Sequence, residues 1–124
     1  NYIEKKKIKN VKFLGYKNNV KHFIKKSKIF VHTSLFEGMS NSVLEAMSYG
    51  LPSVVLHSPG VAELHLHKKT GYVSPHNIRT FSKYIQKISQ NIKLQKIFFN
   101  NSRNRVKKVF SIENTVKKYN MYLN

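Results

Sequence analysis

Glu37 and Glu45 stand with seven residues between them in the run Ser34-Leu-Phe-Glu37-Gly-Met-Ser-Asn-Ser-Val-Leu-Glu45-Ala-Met47. The chain has five acidic residues, all glutamates, against twenty lysines and three arginines, for a net charge of +18. Three of the five (Glu37, Glu45, Glu63) fall within 27 residues, and the stretch from Ile29 to His67 has neither lysine nor arginine. Solvent-facing decoration in so basic a chain would be lysine there too, so these carboxylates read as functional acceptors. A carboxylate accepts hydrogen bonds only and suits paired sugar hydroxyls. Gly38 lets a ligand approach the backbone closely. Ser40-Asn41-Ser42 are residues that begin helices, and the first amides of such a helix, at Ser42 and Val43, seat a phosphate or pyrophosphate. A phosphate flanked by hydroxyl-rich groups describes a nucleotide-sugar. The plainer alternative makes Glu37 a helix-terminus acid and Glu45 a solvated helix-face acid; Glu63 divides evenly between organising its neighbouring loop and touching a ligand.

The elements that must position these residues follow from the pattern. Val11-Lys-Phe-Leu14 reads as a strand stopped by Gly15, and Asn18 or Asn19 caps a helix through about Lys26. Lys28–His32 is a second strand, apolar enough to be buried. The loop from Thr33 to Ser40 leads to a helix from Val43 to Tyr49 that Gly50 terminates. Leu51–Leu56 is a third strand with Pro52 near its start, Ser58-Pro-Gly60 turns into a short helix carrying Glu63, and Gly71-Tyr-Val73 is a brief fourth strand. From residue 77 to 124 the texture is helical: Ile78, Phe81, Tyr84, Ile85 and Ile88, then Leu94, Ile97 and Phe98, then Val106, Val109 and Phe110 recur at helical spacing. Ser111 caps the last helix, with Glu113 in its first turn. Short apolar strands alternating with helices predict an α/β fold, a Rossmann-like parallel sheet with helices on both faces and a helical C-terminal tail. Ligands of such sheets bind beyond the carboxyl ends of the strands, where the loop Thr33–Ser42 falls.

Composition narrows the classes. At 124 residues the chain accommodates one domain, with residues 1–10 a polar, basic, exposed lead-in. No apolar run reaches the length of a membrane-spanning helix. The absence of cysteine excludes disulfides and thiolate metal sites. The six histidines include His65-Leu-His67, but residues two apart do not share a helix face and no third ligand is suitably spaced, so no metal is expected. His32 and His57 fall at strand ends bordering the crevice, where a packed or hydrogen-bonded ring is the first expectation. Tyr84 and Phe98-Phe99 belong to the helical core pattern. The positive charge suits an anionic partner, yet the lysines are scattered over both ends, the longest run being Lys5-Lys6-Lys7. That argues against a nucleic-acid groove. The abundance of lysine together with thirteen asparagines matches an AT-rich coding sequence.

Several segments, taken in order, carry a resemblance. They are Val11-Lys-Phe-Leu-Gly15-Tyr16, Val31-His-Thr-Ser34-Leu-Phe-Glu37-Gly38, Asn41-Ser-Val-Leu-Glu45-Ala-Met47, Gly50-Leu-Pro52-Ser-Val-Val55, Glu63 and Thr70-Gly71-Tyr-Val73. Together they resemble the C-terminal, donor-binding half of a retaining glycosyltransferase of family 4, the glycosyl transferases group 1 domain of the two-domain GT-B type. The resemblance implies that Glu37, Gly38, Met39, Ser40 and Asn41 line the donor sugar, with Glu37 closest to it. Ser42 and Val43 would face the diphosphate, Glu45 would bind the ribose hydroxyls, and the Gly15-Tyr16 turn would lie near the nucleobase. Family members often carry Gly or Pro where Ser40 stands. The donor would be a UDP-, GDP- or ADP-linked sugar, with no cofactor and no metal. The acceptor would be a glycan or lipid-linked molecule, and the setting a bacterial cell-surface polysaccharide pathway in the cytoplasm, at the inner membrane face, where the basic charge is compatible with anionic lipid. The family's diphosphate-binding Arg and Lys come from an earlier strand and helix, and its acceptor site from an N-terminal Rossmann-like domain. Residues 1–124 are therefore expected to be a partial domain that does not complete catalysis alone. The alternatives are a truncated, non-catalytic nucleotide-binding module and, further off, a basic nucleic-acid-binding domain.

Overall fold

Three short apolar runs pair side by side in the computed structural model, which describes residues 2–123. They are β1 (Phe30–His32), β2 (Ser53–Leu56) and β3 (Tyr72–Ser74), in the order β1-β2-β3 and all parallel. Phe30 lies opposite Ser53, and Val54 opposite Tyr72. Six helices accompany them: α1 (Tyr2–Lys5), α2 (Lys21–Lys26), α3 (Asn41–Ser48), α4 (Ile78–Ser89), α5 (Ile92–Val109) and α6 (Ile112–Leu123).

β2 reads as continuous Val-Val-Leu because both of its faces are covered. Val54 packs with Tyr72, Ile88 and Phe98 beneath α4 and the first half of α5. Its neighbour Val55 packs on the opposite face with Val43 and Met47 of α3 and with Val61 and Leu64, joined at the margin by Val106 and Phe110. α5 thus reaches both cores. Asn77 and Asn91 begin α4 and α5, each Oδ1 accepting an amide three residues on at 2.9 Å. Ser111 Oγ accepts from the Asn114 amide at the start of α6.

The structure corrects several sequence expectations. Val11–Leu14 forms no strand: Val11, Phe13 and Leu14 stay exposed, and no ladder partner lies beside them among the described residues. Apolar composition alone does not make a strand when the backbone groups have no partner. The next helix starts at Lys21 with Val20 in the cap position and no side-chain cap, so neither Asn18 nor Asn19 serves. Two strands are trimmed to 30–32 and 53–56 and the last shifts by one residue to 72–74, although the Phe30 amide still bonds the Pro52 carbonyl at 2.8 Å. The helix after the glutamate loop begins two residues early, at Asn41, and ends where Gly50 takes φ +74°. Residues 59–64 are successive hydrogen-bonded turns rather than a helix. The basic lead-in holds the single helical turn α1. Asn1 and Asn124, the outermost residues of the expected lead-in and tail, lie outside the described residues.

Candidate functional site

The carboxyl ends of β1 and β2 release two loops that meet. Gly60, in the turn after β2, has φ +78°, and its α-carbon packs against the Gly38 carbonyl; a Cβ there would also come within 2.7 Å of the Glu37 carbonyl. Only a residue without a side chain allows that contact and that dihedral together. The loop carrying Glu37 and Gly38 is thereby held from below by a segment twenty-two residues away. Gly38 itself faces open space.

Glu37 sits at the centre of a small polar network. His32, the last residue of β1, places Nε2 3.0 Å from Glu37 Oε1, a close polar contact rather than a well-aligned hydrogen bond. Hydrogen bonds from the Ser40 hydroxyl first, and from Ser34 second, hold the Glu37 carboxyl below the usual carboxylate range; His32 adds to this and partial burial opposes it. Glu37 is therefore an ionised, acceptor-only group at neutral pH.

Ser40 has a second consequence. It occupies the N-cap of α3 with extended dihedrals, but its hydroxyl makes no capping bond. It lies 3.1 Å from Ser42 Oγ instead. The first intrahelical bond runs from the Leu44 amide to the Ser40 carbonyl, so the amides of Asn41, Ser42 and Val43 open the helix without a side-chain acceptor. Such amides and the helix dipole attract an anion.

Glu45 projects from the exposed side of α3, one turn inside, on the stripe shared with Asn41 and Ser48; Val43, Ala46 and Met47 form the buried side. No hydrogen bond or ion pair joins Glu37 to Glu45 among the described residues. Met39 is exposed beside Glu37, and the Val43 side chain is buried, leaving only its amide on the loop side. Gly15, at φ +63°, and the 90% exposed Tyr16 lie in the irregular stretch before α2. Glu63 meets the rest of the protein through its backbone, its carbonyl accepting from Arg105 Nη2 at 2.7 Å.

The other histidines divide by environment. His76 Nε2 donates to the His57 carbonyl at 2.6 Å, joining the ends of β2 and β3. His65 is buried with Nδ1 3.1 Å from Thr70 Oγ1, and burial pushes its pKa down to about 4. His67 Nδ1 accepts the Val73 amide. His65 and His67 thus make separate bonds, and no group of three metal-ligating side chains forms among the described residues. No helix is long and apolar enough to cross a membrane among them. Sequence reasoning missed three contributors: Ser34, the His32 contact on Glu37, and Gly60. The nearest available signal was the Ser58-Pro-Gly60 turn falling just past a buried strand.

Comparison with known proteins bears on this loop and helix. A family model described as glycosyl transferases group 1 matches residues 1–105. The chain is 32% identical over 111 residues to a UDP-Gal:alpha-D-GlcNAc-diphosphoundecaprenol alpha-1,3-galactosyltransferase of Escherichia coli, a match covering 89% of this chain and 28% of that protein. Its fold matches the Anabaena protein HepE, solved in complex with UDP, at TM-score 0.87 and 21% identity, covering 98% of this chain and 35% of HepE. Sucrose-phosphate synthase of Thermosynechococcus elongatus gives TM-score 0.87 at 20% identity, over 98% of this chain and 32% of the synthase. The chain thus spans about a third or less of each of these proteins.

Proposed function

This chain belongs to the glycosyl transferases group 1 family, and from that premise we propose that residues 1–124 form the donor-binding domain of a retaining glycosyltransferase. The donor is a nucleotide-sugar, and UDP is the favoured nucleotide because HepE was solved with UDP and with UDP-glucose and the Escherichia coli relative is named for UDP-Gal. The acceptor is a glycan or lipid-linked saccharide of a bacterial surface polysaccharide, a reading supported by the GlcNAc-diphosphoundecaprenol in that relative's name. Attachment at the inner membrane face goes with that acceptor.

One observation carries the reading: an ionised Glu37, held by Ser34, Ser40 and His32, stands directly before a helix whose first amides lack a side-chain cap. In this assignment Glu37 accepts hydrogen bonds from donor-sugar hydroxyls, with Gly38 to Asn41 along the same sugar. The amides of Ser42 and Val43 take the diphosphate. Glu45 accepts the two ribose hydroxyls, and the Gly15-Tyr16 turn lies toward the base. Glycosyl transfer requires the charge on the departing diphosphate to be stabilised and the acceptor to be held in line. Ile29–His67 contains no lysine or arginine to supply the first, so the cationic groups and the acceptor wall come from outside this stretch.

Calorimetric titration of UDP, GDP and ADP, each with and without an attached sugar, tests the reading. UDP and a UDP-sugar should release heat saturably, with weak affinity for a domain facing no second wall. Absence of heat with every nucleotide would overturn it.

A further inference from the structure

The geometry points to His32 as the positioning residue for Glu37: its imidazole fixes one oxygen of that carboxylate and so sets which oxygen remains for the donor sugar. The inference rests on the donor reading above and adds a residue to it.

The argument begins with charge. In a chain of net charge +18, the carboxylate in the loop has no lysine or arginine on it; the basic side chain in contact with it among the described residues is an imidazole. That imidazole is not free to wander. It ends β1, its ring lies parallel to Phe30 two residues earlier at 6.1 Å between centroids and 14° between planes, and its side chain is 11% exposed. Its Nε2 is wholly enclosed and has no well-aligned hydrogen-bond partner among the described residues, and the Glu37 carboxylate lies 3.0 Å from it. Glu37 is more open, at 30%, as a ligand-facing group must be. A strand end gripped by sheet pairing, a ring held by stacking and a carboxylate held by the ring form a chain of rigid supports. Groups fixed in this way keep a binding side chain in its productive rotamer without ligand.

Other groups face the same loop without duplicating this role. Ser40 and Ser34 act on the Glu37 carboxyl from within its own loop, and the Ser40 hydroxyl also lies 3.1 Å from Ser42 Oγ, whereas the imidazole reaches it from the sheet. From the β2 side, Gly60 contributes only backbone. His57 and His76, at the ends of β2 and after β3, are engaged with each other through the His57 carbonyl. His32 therefore determines the orientation of the carboxylate, and its removal should be felt by the sugar and not by the nucleotide.

The test is a split between two ligands. UDP and UDP-galactose are titrated against the wild-type chain, His32→Phe and His32→Gln. Phenylalanine keeps the stack on Phe30 and loses the donor; glutamine retains an N–H that reaches in the same direction. In His32→Phe the affinity advantage of UDP-galactose over UDP should fall about fivefold, the scale of one lost polar contact, with UDP itself changed less than about twofold. His32→Gln should recover part of that advantage. In wild type, the 15N resonance of His32 Nε2 should move on adding UDP-galactose and stay in place on adding UDP, a readout that holds even where a variant fails to fold. Loss of UDP and UDP-galactose affinity in equal measure, or an Nε2 resonance indifferent to the sugar, overturns the positioning role and leaves the donor reading standing. Failure of wild type to bind UDP at all overturns both.

Discussion

Gly60 shows how little a single residue needs to contribute to matter. Its positive φ and its contact with the Gly38 carbonyl leave no room for a methyl group. Gly60→Ala should destabilise the domain by about 2 kcal/mol through left-handed strain and overpacking and displace the Glu37 loop with it. Urea unfolding and UDP-sugar titration on the same sample would show both effects; an alanine variant of wild-type stability would mean that the loops do not depend on each other. At the ligand-facing residues the expected pattern is divided. Glu45→Ala should weaken UDP and UDP-sugar alike, Glu37→Ala mainly the sugar-bearing ligand, each by roughly 1.5–3 kcal/mol for a lost charge-assisted bond. Wild-type binding by both variants would remove the assignment. His65 predicts a pH effect on stability. Its folded pKa, about 4, lies below the ordinary histidine value of about 6.5. The unfolded chain therefore takes up a proton first on acidification. The stabilisation is complete above about pH 6.5 and is lost as pH falls toward 4, amounting to about 3 kcal/mol. His65→Leu should flatten that part of the urea-midpoint profile. At this scale the glutamates were legible because they contradict the charge of their surroundings. His32, Ser34 and Gly60 were not, because the direction of a strand-end ring and a contact across twenty-two residues are set by tertiary packing.

At the scale of elements, what the pattern revealed and what it hid have separate physical causes. β2, α3, α4 and α5 were legible because buried faces impose their period on the sequence, from Val54-Val55 to Ile88 and Phe98. The segment Val11–Leu14 has strand composition without a strand, since pairing partners are absent from composition. Residues 59–64 remain turns, opening on Pro59 and the positive-φ Gly60, and α5 binds their last carbonyls. Arg105 donates from Nε to the Leu64 carbonyl at 2.6 Å and from Nη2 to the Glu63 carbonyl at 2.7 Å, while Ser102 Oγ donates to the Thr70 carbonyl at 2.7 Å. Carbonyls at the end of these turns, which a helix ending there would also leave without an internal partner, are thus taken by the tail. Arg105→Ala should lower stability by about 2 kcal/mol, allowing for partial exposure, and raise amide exchange in residues 59–66. Phe98→Ala, emptying a fully enclosed site, should be worse, at about 3–5 kcal/mol. Exchange unchanged in Arg105→Ala would show that the turns stand without the tail.

At the scale of the whole molecule, the proposed donor role sets what residues 1–124 should do by themselves. This stretch corresponds to 28% of the Escherichia coli galactosyltransferase it resembles, and it brings carboxylates and helix amides to the crevice but no guanidinium or ammonium group in Ile29–His67. Residues 1–124 expressed alone should bind UDP-sugar and transfer nothing, as followed by release of free UDP and by labelled product. Transfer should appear when the chain is joined to the N-terminal half of a matching group 1 enzyme. Robust turnover by the isolated chain, abolished by Glu37→Ala, would show that this division of labour is mistaken.

β1 forms its ladder with β2 only, so its far side is a bare parallel edge among the described residues, with Val31 half exposed and Phe13, Leu35 and Phe36 exposed as well. An edge of that kind invites pairing with another copy. What opposes it is colloidal: copies carrying +18 repel one another over a screening distance of about 30 Å at 0.01 M salt, which shrinks to about 3 Å at 1 M. Light scattering should accordingly report dispersed particles in dilute buffer and growing ones in concentrated sodium chloride, the reverse of an assembly held together by ion pairs. The lysines spread over both ends of the chain would then have an effect that needs no ligand, holding this bare sheet edge apart from its own copies.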